Sequence, residues 1–288
     1  MIVGCGDVGL RAADLLKNGS RVYALTSSAS RISGLHQQGI TAIDGNLDEP
    51  ATLRRLAGVA THLIHMAPPP LQGRSDTRTR ALVQALQLRS SPQSVVYGST
   101  SGVYGDCGGA WIDETQLLNP QTDRAQRRVD AEAWLNAWGS RGLPRIHVLR
   151  IPGIYALDRE GGTPRERLQR STPVLQASDD VYTNHIHADD LARAAVLAVW
   201  RGKSLRPLHV SDDSDMMMGD YMDMAADLWQ LPRPPRISRA QAQTALPAMT
   251  LSFMSESRRM HNQRLKTELR MRLRYPTVRE GLQGKPVF

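Results

Sequence analysis

The chain has 288 residues, 41% hydrophobic and 22% charged, enough to bury a substantial core as one large domain or two. It carries no run of about 18 apolar residues, which excludes a membrane-spanning helix. Its two cysteines exclude a disulfide framework. No basic segment followed by an apolar stretch opens the chain, so no secretory leader is expected and the cytoplasm is the expected compartment. The net charge of +8 is uneven: between Arg258 and Arg274 seven Lys and Arg residues face one acid, Glu268. Two Phe and seven Tyr make a poor stacking platform and no nucleic-acid module is recognisable. The basic run therefore reads as a solvated helix face, and nucleic acid is not an expected partner.

Met1-Ile2-Val3 reads as the end of a buried strand, and Asp7 to Lys17 as a helix with apolar Val8, Leu10, Ala13, Leu15 and Leu16. Between them lies Gly4-Cys5-Gly6-Asp7-Val8-Gly9. In a strand-turn-helix unit this is the phosphate turn of a dinucleotide site: Gly4 permits the sharp turn, Gly6 lets backbone touch a pyrophosphate, and Gly9 lets helix and strand pack closely. Only three residues precede Gly4, fewer than the usual strand of about five or six. That implies a short first strand or a start further upstream.

Arg21 to Leu25 is the second strand. A site for NAD places Asp or Glu about 20 residues past the glycines to hold the ribose 2′-OH. This chain has Thr26, Ser27 and Ser28 there, followed by Arg31. Hydroxyls that can bond a 2′-phosphate, a cation that can neutralise it and no acid to repel it favour NADP over NAD. Arg31 is equally compatible with an ordinary charge on the surface of the next helix.

Further strands are expected at Ile40–Asp44, His62–Met66, Ser94–Tyr97 and Arg145–Arg150, and helices at Pro50–Leu56, Ser75–Leu88 and Thr122–Trp138. The alternation predicts an α/β, Rossmann-like, doubly wound parallel sheet with right-handed crossovers. Beyond it lie helices near Ala188–Trp200 and Gly219–Trp229, the latter packed by methionines, and the basic C-terminal helix. The organisation expected is a dinucleotide-binding domain over residues 1–160 and a smaller, interleaved substrate lobe over residues 161–288. Ala131, Trp134, Leu135 and Trp138 stripe one helix at three- and four-residue spacing, which suits a homodimer interface or packing on the sheet. His185 and His187 have no Cys or Glu at ligand spacing beside them, against metal binding.

Three more segments carry a resemblance. They are Ser99-Thr100-Ser101-Gly102-Val103-Tyr104-Gly105-Asp106, Arg150-Ile151-Pro152-Gly153-Ile154-Tyr155 and Asn184-His185-Ile186-His187-Ala188-Asp189-Asp190-Leu191. With the glycine turn, they resemble the extended, atypical branch of the short-chain dehydrogenase/reductase superfamily, the NAD-dependent epimerase/dehydratase type. Ser257 to Leu282, with Asn262-Gln263-Arg264-Leu265-Lys266-Thr267-Glu268-Leu269 and Tyr275-Pro276, resembles a bacterial subgroup of atypical members. The resemblance implies that Asn46-Leu47 contacts adenine, that Ala67 and Pro68 cover the cofactor ribose, and that the segment with Pro152 lies beside the nicotinamide. It also puts Thr100 at the position of the serine or threonine that bonds a substrate carbonyl.

The same resemblance exposes a departure. The family's Tyr-x-x-x-Lys supplies a phenol for proton transfer and a lysine that lowers the phenol's pKa while holding the ribose. Aligning on Ala131-Glu132 puts Arg124 at the tyrosine position and Arg128 at the lysine position. Arg128 can still bond a ribose, whereas a guanidinium at Arg124 is no ordinary proton donor. A proton relay would come from Thr100, from Tyr104 recruited as a phenol, from water or from the second lobe. Thr100 can alternatively satisfy strand-end backbone groups. Two functions remain: an NAD(P)-dependent oxidoreductase or epimerase acting on a small carbonyl or hydroxyl substrate, or a non-catalytic NADP-binding redox sensor or regulatory protein. Arg159, Arg165, Arg167 and Arg170 suit a phosphorylated or nucleotide-linked ligand, or are surface charges.

Overall fold

The computed structural model describes residues 1–142 and 144–288. Strands β1 (Ile2–Val3), β2 (Tyr23–Thr26), β3 (Thr41–Asp44), β4 (His62–His65) and β5 (Ser94–Thr100) alternate with helices α1 (Asp7–Leu16), α2 (Ser30–Gln37) and α3 (Thr77–Leu86), and with a 3-10 segment at Pro50–Leu56. A short β6 (Trp111–Ile112) and the long α4 (Asp123–Gly139) lead to β7 (Arg145–Ile151). Then follow β8 (Gly153–Tyr155), α5 (Arg165–Gln169), β9 (Val174–Leu175), β10 (Tyr182–Thr183), β11 (His185–His187) and α6 (Ala188–Trp200), before β12 (Arg206–His209) and α7 (Met218–Leu228).

Seven strands pair, all parallel, in the order β12-β7-β5-β4-β1-β2-β3. A parallel sheet is covered on both faces, which is why its central strands are near-continuous apolar runs. Val95, Val96 and Tyr97 in β5, and Ile146, Val148 and Leu149 in β7, are all buried. One face packs on α1 and α6, the other on α3, α4 and the Pro50–Leu56 segment. Side-chain caps start α3 and α4: Asp76 accepts from Thr79 N at 2.9 Å and Thr122 from Ala125 N at 3.2 Å.

β1 is short yet central. Ile2 and Val3 are buried and pair with β2 on one side and β4 on the other. Chain order reverses between β1 and β4, and the crevice beyond the carboxyl ends of the strands at such a point is where ligands bind in these sheets.

One sequence expectation changes. The basic stretch from Arg258 to Arg274 is not one helix: Arg259–Met260 pairs with β6, and only Gln263–Thr267 is helical. Leu265 and Leu269 keep helical spacing, but Met271 and Leu273 alternate, and all four bury into the core beside α1 and α6. Some of its charges are engaged, Glu268 with Arg206 at 2.8 Å and Lys266 with Asp213 at 2.5 Å, while Arg270, Arg272 and Arg274 are exposed. In the α4 stripe, Ala131, Leu135 and Trp138 bury against the sheet, while Trp134 stays at the surface with Arg80 over its ring.

Candidate active site

Gly4 sits at φ +82°, a conformation L side chains rarely adopt, and a Cβ there would run into the backbone of Ala67. A Cβ at Gly9 would lie 2.8 Å from the Gly4 carbonyl oxygen, so this glycine fixes how closely α1 crosses β1. Around Gly6 there is open space. No side chain caps α1, so its leading N–H groups face a cavity of about 320 Å³. Gly4, Gly6, Asp7, Val8 and Gly9 line that cavity, opposite Thr100, Arg128, Pro152 and Arg159. The Asp7 carboxylate is held by Arg159 and by Arg11 at 3.0 Å, so its charge is compensated inside the protein.

Thr26, Ser27, Arg31, Asn46, Leu47, Ala67 and Pro68 lie at or just past the carboxyl ends of β2, β3 and β4, outside that cavity's lining. Thr26 is buried and its hydroxyl accepts from Ser28 N at 3.2 Å, while Ser27 is exposed. Arg31 reaches back to the glycine turn, donating to the Cys5 carbonyl at 2.5 Å. Asn46 spends its side chain locally, accepting from Asp48 N at 3.0 Å and donating to Glu49 at 2.9 Å. Arg78 ties Asp48 to the Pro68 carbonyl.

Arg128 bridges the ends of β4 and β5. Its guanidinium donates to Gly98 O at 2.8 Å and to the Tyr97 hydroxyl at 3.0 Å, and faces the 320 Å³ cavity. Thr100 ends β5 at a corner shared by this cavity, a larger one of about 700 Å³ and a smaller one of about 270 Å³. The Thr100 oxygen accepts from Gly102 N at 3.2 Å, capping the turn Ser101–Tyr104. Accepting uses a lone pair and leaves the hydroxyl proton free to donate, so the capping role and a role toward a ligand coexist. Arg124 lines the two outer cavities and lies 5.0 Å from the Phe253 ring centroid.

Tyr104 lines none of these cavities. Its hydroxyl accepts from Arg150 at 2.7 Å and lies 2.6 Å from His209 Nε2, within a buried network. Arg150 in turn pairs with Glu132 at 2.8 Å, and Ser99 donates to Glu132 at 2.5 Å. Burial pushes the Tyr104 phenol up to about 12 and pulls His209 down to about 3. The reading of Tyr104 as a recruited phenol gives way to a packing role. Arg150 likewise points into the protein, while its neighbours Ile151 and Pro152 face the cavity.

The 700 Å³ cavity is walled by both halves of the chain and holds a residue sequence reasoning missed. Glu256 is its lone carboxylate among the described residues. Glu256 pairs with Arg258 at 2.9 Å, and Arg258 donates to Gly105 O at 2.7 Å, tying the pair to the turn after β5. A Cβ built on Gly102 would lie 3.6 Å from the Thr100 hydroxyl oxygen and 3.9 Å from Glu256 Oε2, so the two groups flank the same point of the rim. A single Glu in a polar stretch leaves no spacing signal. Deeper in, the His185 ring packs tilted against Tyr221, centroids 4.4 Å apart, and burial pulls His185 down to about 4.

The family described as TrkA-N domain matches residues 1–69. A functionally unknown conserved protein from Silicibacter pomeroyi is 30% identical over 98% of this chain and 96% of its own, with a TM-score of 0.82. The chain belongs with that conserved protein. The D-erythronate dehydrogenase of Cupriavidus necator is 24% identical to this chain over 132 residues, 42% of this chain and 41% of that protein. The fold is also that of the UDP-glucuronic acid 4-epimerase from Bacillus cereus, solved in complex with NAD. That enzyme is 15% identical over 99% of this chain and 96% of its own, with a TM-score of 0.77. Arg124 and Arg128 stand about one turn apart on α4, where the resemblance above led to the expectation of a Tyr-x-x-x-Lys pair.

Proposed function

We propose that the protein is an NAD(P)-dependent oxidoreductase or epimerase acting on a small carbonyl or hydroxyl substrate, with NADP favoured over NAD. The observation that carries this is the place of Thr100, at the corner where the cavity over the glycine turn meets the 700 Å³ cavity. Gly4, Gly6 and Gly9 with the uncapped α1 start suit a pyrophosphate, and Arg128 replaces the family's lysine toward the nicotinamide ribose. Absence of an acid at the end of β2, with Arg31 against the turn, supports the 2′-phosphate. The bound dinucleotide supplies hydride chemistry. The chain supplies the rest: the Thr100 hydroxyl donates to the substrate oxygen, and Glu256 exchanges the proton on the far side of that oxygen.

The test is a titration with NADPH and NADH followed by nucleotide fluorescence and thermal stability. The expected result is micromolar NADPH binding with much weaker NADH binding; binding of neither refutes the reading. Arginine at 124 and 128 favours a second reading, a non-catalytic NADP sensor. A screen of carbonyl and sugar-nucleotide substrates separates the two: turnover abolished by Thr100→Val with cofactor binding intact supports an enzyme, and no turnover at all supports the sensor.

A further inference from the structure

The four arginines clustered after β8 have separate fates. Arg159 pairs with Asp7, Arg170 with Glu166 at 3.4 Å on the surface, and Arg165 lies 5.2 Å from the Trp229 ring centroid. Arg167 has neither ion pair nor hydrogen bond through its side chain among the described residues, and its Nη2 is buried without an acceptor. A buried cation without a partner costs free energy, and burial indeed pulls the Arg167 guanidinium below its usual range. Its setting is the wall of the 700 Å³ cavity, beside Tyr221 of α7, which also lines the cavity. The cavity's carboxylate, Glu256, is already taken by Arg258.

Resting on the reading of this cavity as the substrate site, we propose that Arg167, with the Tyr221 hydroxyl, seats a carboxylate carried by the substrate, whose carbonyl or hydroxyl end then lies at Thr100. The charge count selects the ligand. A guanidinium fork matches the two oxygens and single charge of a carboxylate. A phosphate monoester brings a charge of about −1.5 to −2 and three acceptor oxygens, more than Arg167 and one phenol satisfy, and the cavity's other arginine without an ion pair, Arg124, lies over Phe253 where the 270 Å³ cavity begins. The substrate class is therefore a hydroxy or oxo acid.

The protein saturated with dinucleotide is titrated calorimetrically with glycerate, with glycerol and with inorganic phosphate, at constant ionic strength. Glycerate is expected to bind saturably and glycerol not at all. Arg167→Gln is expected to weaken glycerate by roughly tenfold or more, the scale of one lost charge-assisted hydrogen bond, and Arg167→Lys by less. Ligand-free Arg167→Gln is expected to melt no lower than wild type, because the site holds an unpaired charge until the ligand arrives; a purely structural arginine would lower the melting temperature. Equal glycerate affinity in Arg167→Gln, preference for phosphate, or no response of the wild type to glycerate each overturns the proposal. Dinucleotide binding is measured in the same samples, so a failed cofactor site is distinguished from a failed carboxylate seat.

Discussion

Replacing Arg150 by Met removes the cation at the centre of the buried network. Arg150 and Glu132 side chains are 7% and 4% exposed and meet at 2.8 Å, and Arg150 also donates to the Tyr104 hydroxyl and to Glu114 O at 3.3 Å. The substitution leaves the Glu132 carboxylate buried with the Ser99 hydroxyl at 2.5 Å as its remaining partner. Breaking a buried pair from one side costs about 3–5 kcal/mol, because the surviving charge keeps its desolvation penalty. The double substitution Arg150→Met, Glu132→Leu removes both charges and is expected to cost less than Arg150→Met alone. Urea unfolding followed by tryptophan fluorescence measures both, with an unchanged denaturant slope expected. A loss below about 1 kcal/mol for the single variant, or a double variant whose loss is the sum of the two singles, would refute the argument from uncompensated charge.

Acid should destabilise the fold through its buried histidines. Burial holds His65 and His209 at about 3 and His147 and His185 at about 4, below the ordinary 6.5. The unfolded chain therefore binds more protons below pH 6.5, so the stabilisation is complete above that pH. It falls by roughly 1.4 kcal/mol per histidine per pH unit as the pH drops toward 4; melting temperatures that stay flat from pH 7 to 5 would contradict this. Gly4→Ala should cost upward of about 2 kcal/mol, from the positive φ and the collision with the Ala67 backbone. It should also abolish dinucleotide binding, both readable from melting curves with and without NADPH. Arg31→Met should weaken NADPH by roughly tenfold or more and leave NADH unchanged. An equal effect on the two nucleotides would make Arg31 a brace for the turn through Cys5 rather than a phosphate ligand.

The strands were legible because a parallel sheet buried on both faces demands continuous apolar runs, and the glycine turn because its backbone needs leave few alternatives to glycine. Side-chain direction was not legible. Arg150 sits in a motif that runs beside the cavity, yet the alternation of β7 sends its side chain inward while Ile151 and Pro152 face out. Tyr104 is carried inward by the turn that Thr100 caps. Glu256 and Arg167 come to the cavity from far along the chain, through the pairing of Arg259–Met260 with β6 and through the placement of α5, and no local pattern encodes either meeting. The C-terminal run misled because its charges are regular, whereas its apolar spacing changes from four residues to two.

The edge position of β12 has a consequence for how the chain is made. Its partner is β7, and the α6 helix that precedes β12 covers α1 at the opposite end of the sequence. A fragment ending near residue 160 would present β7 as an open edge and α1 with a bare apolar face, a surface prone to pairing with other chains. During synthesis the first five strands must therefore wait for the hundred or so residues between Thr100 and His209, so this layer closes late rather than as an early, separate unit.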